Sequence, residues 1–86
     1  MSYSVNFKPA ALRQLRKLSP SLQKTIISTI ETLAEQPRPD GCKKLKGSTS
    51  YYRIRVSKDY RVIYSIQDAE LIIIVIKIGH RKDIYQ

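Results

Sequence analysis

Apolar residues near the start of the chain follow first a strand period and then a helix period. Residues 3–7 are strand-forming, with every second side chain apolar, and they predict a short first strand. Pro9 suits the first turn of a helix, where a missing backbone N–H leaves no donor unpaired. Leu12, Leu15 and Leu18 line one side of this segment, so we predict an amphipathic helix of about three turns.

A second amphipathic helix follows without a linker. Ser19 suits the cap of its first turn, and Pro20 suits its first helical position. Its apolar stripe consists of Leu22, Ile26, Ile30, Leu33 and Ala34. We expect the helix to end near Gln36, because two prolines and a glycine occur within residues 37–41. So short a connection between the helices predicts an antiparallel hairpin.

The second half of the chain alternates with the period of a strand. Two segments place apolar side chains at every second position, namely Tyr52, Ile54 and Val56, then Tyr60, Val62, Tyr64 and Ile66. A third segment, 71–78, is almost continuously apolar and predicts a buried strand. We therefore expect an α+β fold, with an N-terminal strand and a helical hairpin packed on one face of an antiparallel sheet of about four strands.

Length and charge narrow the classes of function. The 86 residues predict a single domain, 1–86. A chain this short has no room for a large internal cavity, so we expect its active site in a shallow cleft or on an open sheet face, and we expect no dinucleotide cofactor. The 16 Lys and Arg against 7 Asp and Glu give a formal net charge of +9. Such an excess favours a polyanionic partner, because clustered cations release counterions from phosphates. It does not distinguish RNA from DNA, an acidic protein or a membrane surface.

Cysteine content and hydropathy indicate a cytoplasmic protein. Cys42 is the one cysteine, so no internal disulfide forms, and no paired Cys and His spacing suggests a zinc site. The N-terminal residues lack the charged start and long apolar run of a signal peptide. The longest apolar run, 71–76, is too short to span a bilayer, so we expect no membrane association.

Arginines alternate with the apolar residues of the predicted strands. If Ile54 faces the helices, Arg53 and Arg55 face away from them, and the same reasoning places Arg61 on that outer face. A single strand arginine is more often a solvated edge residue. Three on one face repel one another unless an anion binds there, and the guanidinium geometry suits phosphate oxygens.

The C-terminal residues add groups that titrate. Gly79 lets the chain bend after the buried strand and present His80 and Arg81. His80, the one histidine, is a candidate for proton transfer, or else it packs or caps the strand end. Tyr85 either anchors the tail or moves a proton and stacks on a base.

Four ordered motifs resemble the RelE/ParE toxin superfamily, in its RelE-like mRNA interferase branch. They are Leu45-Lys46-Gly47, Tyr52-Arg53-Ile54-Arg55, Asp59-Tyr60-Arg61-Val62-Ile63-Tyr64, and Ile78-Gly79-His80-Arg81-Lys82-Asp83-Ile84-Tyr85. The resemblance extends over essentially the whole chain. It implies a microbial-RNase-like fold, a toxin of a type II toxin-antitoxin system, and ribosome-dependent cleavage of mRNA in the A site that inhibits translation.

The resemblance also implies site residues. Carried over position by position, the catalytic set is Arg53, Arg55, Arg61, Arg81 and Tyr85, and Lys46 matches a flanking basic site. We expect Lys43, Lys44 and Lys46 to bind nucleic acid together with Arg53 and Arg55. Founding RelE members carry lysine where this chain has Arg53 and Arg55, and arginine is too basic to accept a proton readily. Proton transfer would then fall to His80, Tyr85 or the ribosome.

The implied reaction is metal-independent attack of a 2′-hydroxyl on the adjacent phosphate, and we expect neither a metal nor a cofactor. The implied partners are the ribosome, mRNA and a cognate antitoxin, with a toxin that is monomeric alone and hetero-oligomeric with the antitoxin. Two alternatives stay open. One is a ParE-like inhibitor of DNA gyrase on the same scaffold, and the other is a non-catalytic nucleic-acid-binding module that uses the same basic face.

Overall fold

The chain folds into a short strand, two consecutive helices and then most of a sheet, as a computed structural model describes for residues 2–45, 47 and 50–84. In chain order the elements are β1 (Ser4–Phe7), α1 (Pro9–Arg16), α2 (Pro20–Glu35), β2 (Lys43–Lys44), β3 (Tyr51–Val56), β4 (Tyr60–Gln67), a 3₁₀ turn (Asp68–Glu70), β5 (Ile72–His80) and α3 (Arg81–Ile84). This order confirms the predicted α+β class.

The helices begin where the sequence predicts and for the predicted reasons. Pro9 opens α1, and the Ser19 hydroxyl caps α2 by accepting a hydrogen bond from the Leu22 backbone N–H at 3.3 Å. The first helix is shorter than expected, at 8 residues or about two turns. Leu18 lies beyond its end but still packs against the core, so the apolar spacing extended past the helix itself.

Within the described residues the sheet has five strands in the order β1-β5-β4-β3-β2. Strands β2 to β5 are antiparallel to their neighbours, whereas β1 pairs parallel with β5. The sheet therefore has one strand more than expected and is mixed. The additional strand, β2, is two residues long in the basic segment, where no alternation signals it. The direction of β1 depends on how the chain returns to it, and a strand period does not encode that direction.

The core fills the space between the helices and one face of the sheet. Both helices contribute apolar side chains to it, and so do β3, β4 and β5; its most buried members are Ala11, Ile26, Leu33, Val62, Tyr64, Ile73 and Val75. Tyr64 is fully buried and donates a hydrogen bond from its hydroxyl to the Pro37 carbonyl oxygen at 2.7 Å. Burial raises the pKa of that phenol, and the bond ties the segment after α2 to the sheet.

Strand β5 contains one residue, Ile76, that has no partner on β4. Val75 pairs with residue 64 and Lys77 pairs with residue 63, so the ladder skips Ile76. A bulge of this kind reverses the side of the sheet to which later residues point. Val75 lies in the core before the bulge, and Ile78 lies in it afterwards. The bulge therefore decides which tail residues reach the open face of the sheet.

Candidate active site

Arginines from two neighbouring strands occupy the open face of the sheet. Arg55 pairs directly with Arg61 across β3 and β4, and Arg53 is the next outward residue of β3. Directly paired residues have Cβ atoms about 5 Å apart. The residues between them, Ile54 and Val62, lie in the core on the helix side, so the arginines point the other way. The structure thus brings the three arginines together opposite the helices.

A fourth arginine reaches this face from the start of α3. The backbone N–H of Arg81 donates to the Asp59 carbonyl oxygen at 2.7 Å, and the Arg81 Nε lies 3.6 Å from the Asp59 Oδ1. Ile84, at the other end of α3, is buried and lies against Gly79. Gly79 is opposite Arg61 in the ladder, on the open face. These contacts hold α3 over the end of β5 and bring Arg81 to the other arginines.

Together these side chains line one concave surface, which we call the basic cleft. It encloses about 720 Å³, within the size range of ligand-binding pockets, and its lining consists of Gly41, Lys43, Arg53, Arg55, Arg61, Arg81 and Lys82. Six of these seven residues are cationic, and none is acidic. A cleft of this size and charge suits a segment of a phosphodiester chain.

Arg61 is the least exposed cation of the cleft. It is 9% exposed, and its Nη1 donates to the Tyr60 carbonyl oxygen at 3.0 Å. Burial lowers its pKa, and the positive charges of Arg55, Arg53 and Arg81 lower it further. An arginine side chain still keeps its proton at neutral pH. The cleft therefore holds a buried positive charge among other positive charges, and a bound phosphate would relieve that repulsion.

The structure unites some of the residues selected from the sequence and separates others. Arg53, Arg55, Arg61, Arg81 and Lys43 all line the basic cleft. Lys44 does not, because it pairs with Tyr52, which faces the helix side. Lys46 and Tyr85 lie outside the described residues.

His80 is not brought to the arginines. It pairs with Tyr60 rather than with Arg61, so it points to the helix side of the sheet. There it lines a separate pocket of about 230 Å³ with Gln14 of α1, and its ring meets the Tyr60 ring edge-on at 5.5 Å between centroids. Its Nδ1 accepts a hydrogen bond from the Lys82 backbone N–H at 3.2 Å. These contacts match the packing and capping alternative stated for this histidine.

The sequence did not single out every residue that shapes the cleft. Lys82 lines it next to Arg81, and its place directly after the predicted arginine was an available signal. Gly41 lines it from the segment after α2, and no local pattern indicated that approach. An ion pair anchors this segment, because Arg38 Nη2 lies 2.8 Å from Asp68 Oδ2 and Arg38 Nη1 also donates to Oδ1 at 3.2 Å. That pairing joins residues thirty positions apart.

A hydrogen-bond network extends from this ion pair. The Tyr3 hydroxyl donates to Asp68 Oδ1 at 2.8 Å, and Arg38 Nε donates to the Tyr52 hydroxyl at 3.2 Å. The Arg38 guanidinium and the Tyr3 hydroxyl lower the pKa of the Asp68 carboxyl, and the same carboxylate raises the pKa of Tyr3. The segment that supplies Gly41 and Lys43 is thus fixed to both the N-terminal strand and the turn before β5.

The described residues contain no group of three or more His, Cys, Asp or Glu side chains arranged to hold a metal ion. In the same part of the chain, no helix has the length and apolarity needed to cross a bilayer.

Known proteins resemble the chain over nearly its whole length. The family model described as ParE toxin of type II toxin-antitoxin system, parDE, matches residues 5–85. The toxin RelE1 of Methanocaldococcus jannaschii is 37% identical, over 100% of this chain and 98% of its own length. The mRNA interferase toxin RelE of Escherichia coli K12 is 30% identical, over 95% of this chain and 86% of its own length.

Solved structures of toxin-antitoxin complexes contain chains with a similar fold. The intact Escherichia coli RelBE toxin-antitoxin complex contains a chain similar to this one, with a TM-score of 0.82 and 29% identity over 92% of this chain and 96% of that one. The RelE-RelB complex of Pyrococcus horikoshii OT3 contains a chain with a TM-score of 0.81 and 28% identity, over 94% of this chain and 97% of that one. Every residue of the basic cleft lies within residues 5–85, the range that the family model matches.

Proposed function

The chain belongs to the RelE/ParE family of type II toxins, and from that premise we propose that it is an endoribonuclease that cleaves mRNA in the ribosomal A site and so inhibits translation. The observation that supports this most directly is the convergence of four arginines from β3, β4 and α3 in one cleft. A polyanion with a reacting phosphate matches that charge. The similarity to a relative named as an mRNA interferase supports mRNA as that polyanion.

The proposed reaction is attack of a ribose 2′-hydroxyl on the adjacent phosphate. The 2′ oxygen forms a bond to phosphorus, the 5′ oxygen of the next nucleotide leaves, and the products are a 2′,3′-cyclic phosphate and a 5′-hydroxyl. Negative charge develops on the phosphoryl oxygens, where fixed cations stabilise the transition state most. We assign Arg61 and Arg81 to this phosphate, and Arg53 and Arg55 to phosphate positioning. Removing one such donor typically lowers the rate by about 10²–10³.

The 2′-hydroxyl must lose a proton and the leaving oxygen must gain one. Arginine is a poor acceptor, so we assign proton transfer to Tyr85, helped by groups of the ribosome. His80 is the other candidate, and its packing against Tyr60 on the helix side favours Tyr85 instead. Metal independence is part of the proposal. End-group analysis tests the nucleophile, because attack by a metal-activated water that leaves a 5′-phosphate and a 3′-hydroxyl forms no cyclic product, whereas attack by the 2′-hydroxyl does. Cleavage that returns only with an added metal ion would contradict metal independence.

We further propose that a cognate antitoxin controls the toxin. The chain's solved neighbours include named RelBE complexes, and an acidic or amphipathic antitoxin segment that covers the basic cleft would complement its charge. In this proposal the toxin is monomeric alone, hetero-oligomeric with the antitoxin, and resident in the cytoplasm with its mRNA target. The antitoxin should displace a bound RNA oligonucleotide, and simultaneous binding of both would contradict this proposal.

A second candidate function is inhibition of DNA gyrase, because the matching family model is named after ParE. One experiment separates the two. The protein is added to a translating extract, mRNA 5′ ends are mapped, and gyrase supercoiling is assayed in parallel. New ends within codons support the nuclease, and loss of supercoiling supports the gyrase inhibitor. If neither occurs, the chain is a binding module. Arg61→Ala should abolish the new ends, whereas Arg13→Ala, an exposed arginine of α1, should not.

A further inference from the structure

Asp59 makes two contacts with a single residue of the basic cleft. Its carbonyl oxygen accepts the Arg81 backbone N–H at 2.7 Å, and its carboxylate Oδ1 lies 3.6 Å from Arg81 Nε. The first contact fixes where α3 begins. The second brings the carboxylate beside the inner nitrogen of the guanidinium, at an ion-pair distance rather than a hydrogen-bond distance, while the two terminal nitrogens lie at the outer end of the side chain. Those terminal nitrogens form the fork that binds phosphate oxygens in pairs.

Asp59 is also a negative charge beside a strongly positive site. Among the residues that the structure describes, no acidic one lines the cleft itself. Among the charges that act on Arg61, three arginines lower its pKa, whereas Asp59 raises it. The carboxylate therefore acts on two cleft arginines, Arg81 by direct contact and Arg61 through space. A counter-charge at this position reduces the repulsion between the cations of the cleft.

We propose that Asp59 is a positioning residue for cleavage, which holds Arg81 through its Nε so that the terminal nitrogens face the scissile phosphate. This inference rests on the proposed nuclease function. It differs from a simple ion-pair role in its kinetic consequence. Without the carboxylate the cleft becomes more positive, so ground-state attraction to RNA does not fall. Arg81 loses its orientation, however, and stabilises the transition state less.

The first test compares Asp59→Asn with Asp83→Asn in single-turnover cleavage on ribosomes with a defined A-site codon. Both changes remove one negative charge, but Asp83 faces the separate pocket beside His80. We expect Asp59→Asn to lower the maximal rate about 10-fold to 100-fold with an unchanged or lower KM. This is the usual effect of removing a residue that orients a functional side chain without touching the substrate. Asp83→Asn should stay within about twofold of wild type. A raised KM with an unchanged maximal rate would overturn the proposal.

The second test is a double-mutant cycle with Arg81. If Asp59 acts through Arg81, Asp59→Asn has no further effect in an Arg81→Ala background. If Asp59 only stabilises the fold, the two losses multiply. Multiplying losses would overturn the proposal, whatever the size of the single effects. Thermal unfolding of each variant, measured in parallel, separates loss of fold from loss of orientation.

A third readout does not depend on cleavage. The Arg81 Nε–H signal in a nitrogen–proton NMR spectrum, assigned by its loss in Arg81→Lys, should shift on Asp59→Asn and stay in place on Asp83→Asn. An unmoved signal in Asp59→Asn would refute the proposed contact even if mRNA is cleaved. If the wild-type chain cleaves no mRNA but the signal shifts, the nuclease proposal fails and the positioning of Arg81 by Asp59 stands.

Discussion

Replacing Arg61 with methionine should abolish activity while leaving the fold as stable as before or more so. Arg61 is 9% exposed, and burial together with Arg55, Arg53 and Arg81 disfavours its charged form. Methionine is unbranched and uncharged, and it replaces the arginine side chain as far as its Nε. The change therefore removes the desolvation cost and the repulsion while keeping most of the packing.

The size of the effect follows from Coulomb's law. Two like charges about 8 Å apart repel by about 0.5–2 kcal/mol at effective dielectric constants between about 80 and 20. Arg61 has three cationic neighbours, Arg55, Arg53 and Arg81, and Asp59 offsets part of their effect. The lost hydrogen bond to the Tyr60 carbonyl oxygen at 3.0 Å costs about 1 kcal/mol. We expect a net gain of about 1 kcal/mol in the free energy of unfolding, and a loss of about 10²–10³ in cleavage rate.

Urea denaturation of both proteins at low salt and at about 1 M salt measures this gain, provided that both show the same m-value. Salt screens the repulsion, so the advantage of Arg61→Met should shrink as salt rises. The matched control is Arg55→Met, which removes an exposed charge from the same face and should gain less. If Arg61→Met is less stable than wild type by more than about 1 kcal/mol at low salt, the guanidinium stabilises the fold and the reasoning is wrong.

Three further outcomes are expected. Arg81→Ala should abolish growth arrest on expression while antitoxin binding and thermal unfolding stay near wild type, and a fully toxic variant would contradict its assignment. Tyr85→Phe should lower the cleavage rate far more than His80→Ala, and the opposite order would return proton transfer to the histidine. Arg38 lowers the pKa of Asp68, so the wild type should be more stable than Asp68→Asn near neutral pH. This difference in stability should vanish as the pH falls below 3.8 and through the lowered pKa. Urea titrations measure it, and an equal difference at all pH values would show that the charge of this carboxylate is unimportant.

Much of the fold could be predicted because its determinants are local. Pro9 and Ser19 mark helix starts through chemistry that acts within one turn. The alternation in β3 and β4 placed the helix-facing side chains correctly, because the strand period is exact over six to eight residues. Strand β2 escaped prediction because it is two residues long and exposed on both sides.

Some residues of the basic cleft could be predicted from local sequence patterns, and others could not. Arg53, Arg55 and Arg61 share a face because each alternates with a core residue of its own strand, and that information is in the sequence. The approach of Gly41 and Lys43 is not in the sequence pattern. The segment that carries Gly41 is tied down by an ion pair between Arg38 and the distant Asp68, and Lys43 reaches the cleft because β2 pairs with β3.

The tail shows most clearly what the tertiary structure decided. Without a bulge, the even-numbered residues of β5 would stay on the open face and His80 would lie beside the arginines. Because Ile76 has no partner on β4, Gly79 pairs with Arg61 instead, and His80 packs on Tyr60 on the helix side of the sheet. The sequence by itself determined which residues alternate and how much positive charge they carry. Only the pairing of β5 with its neighbour decided which of the tail residues reaches that charge, because a bulge arises between two strands and neither strand encodes it alone.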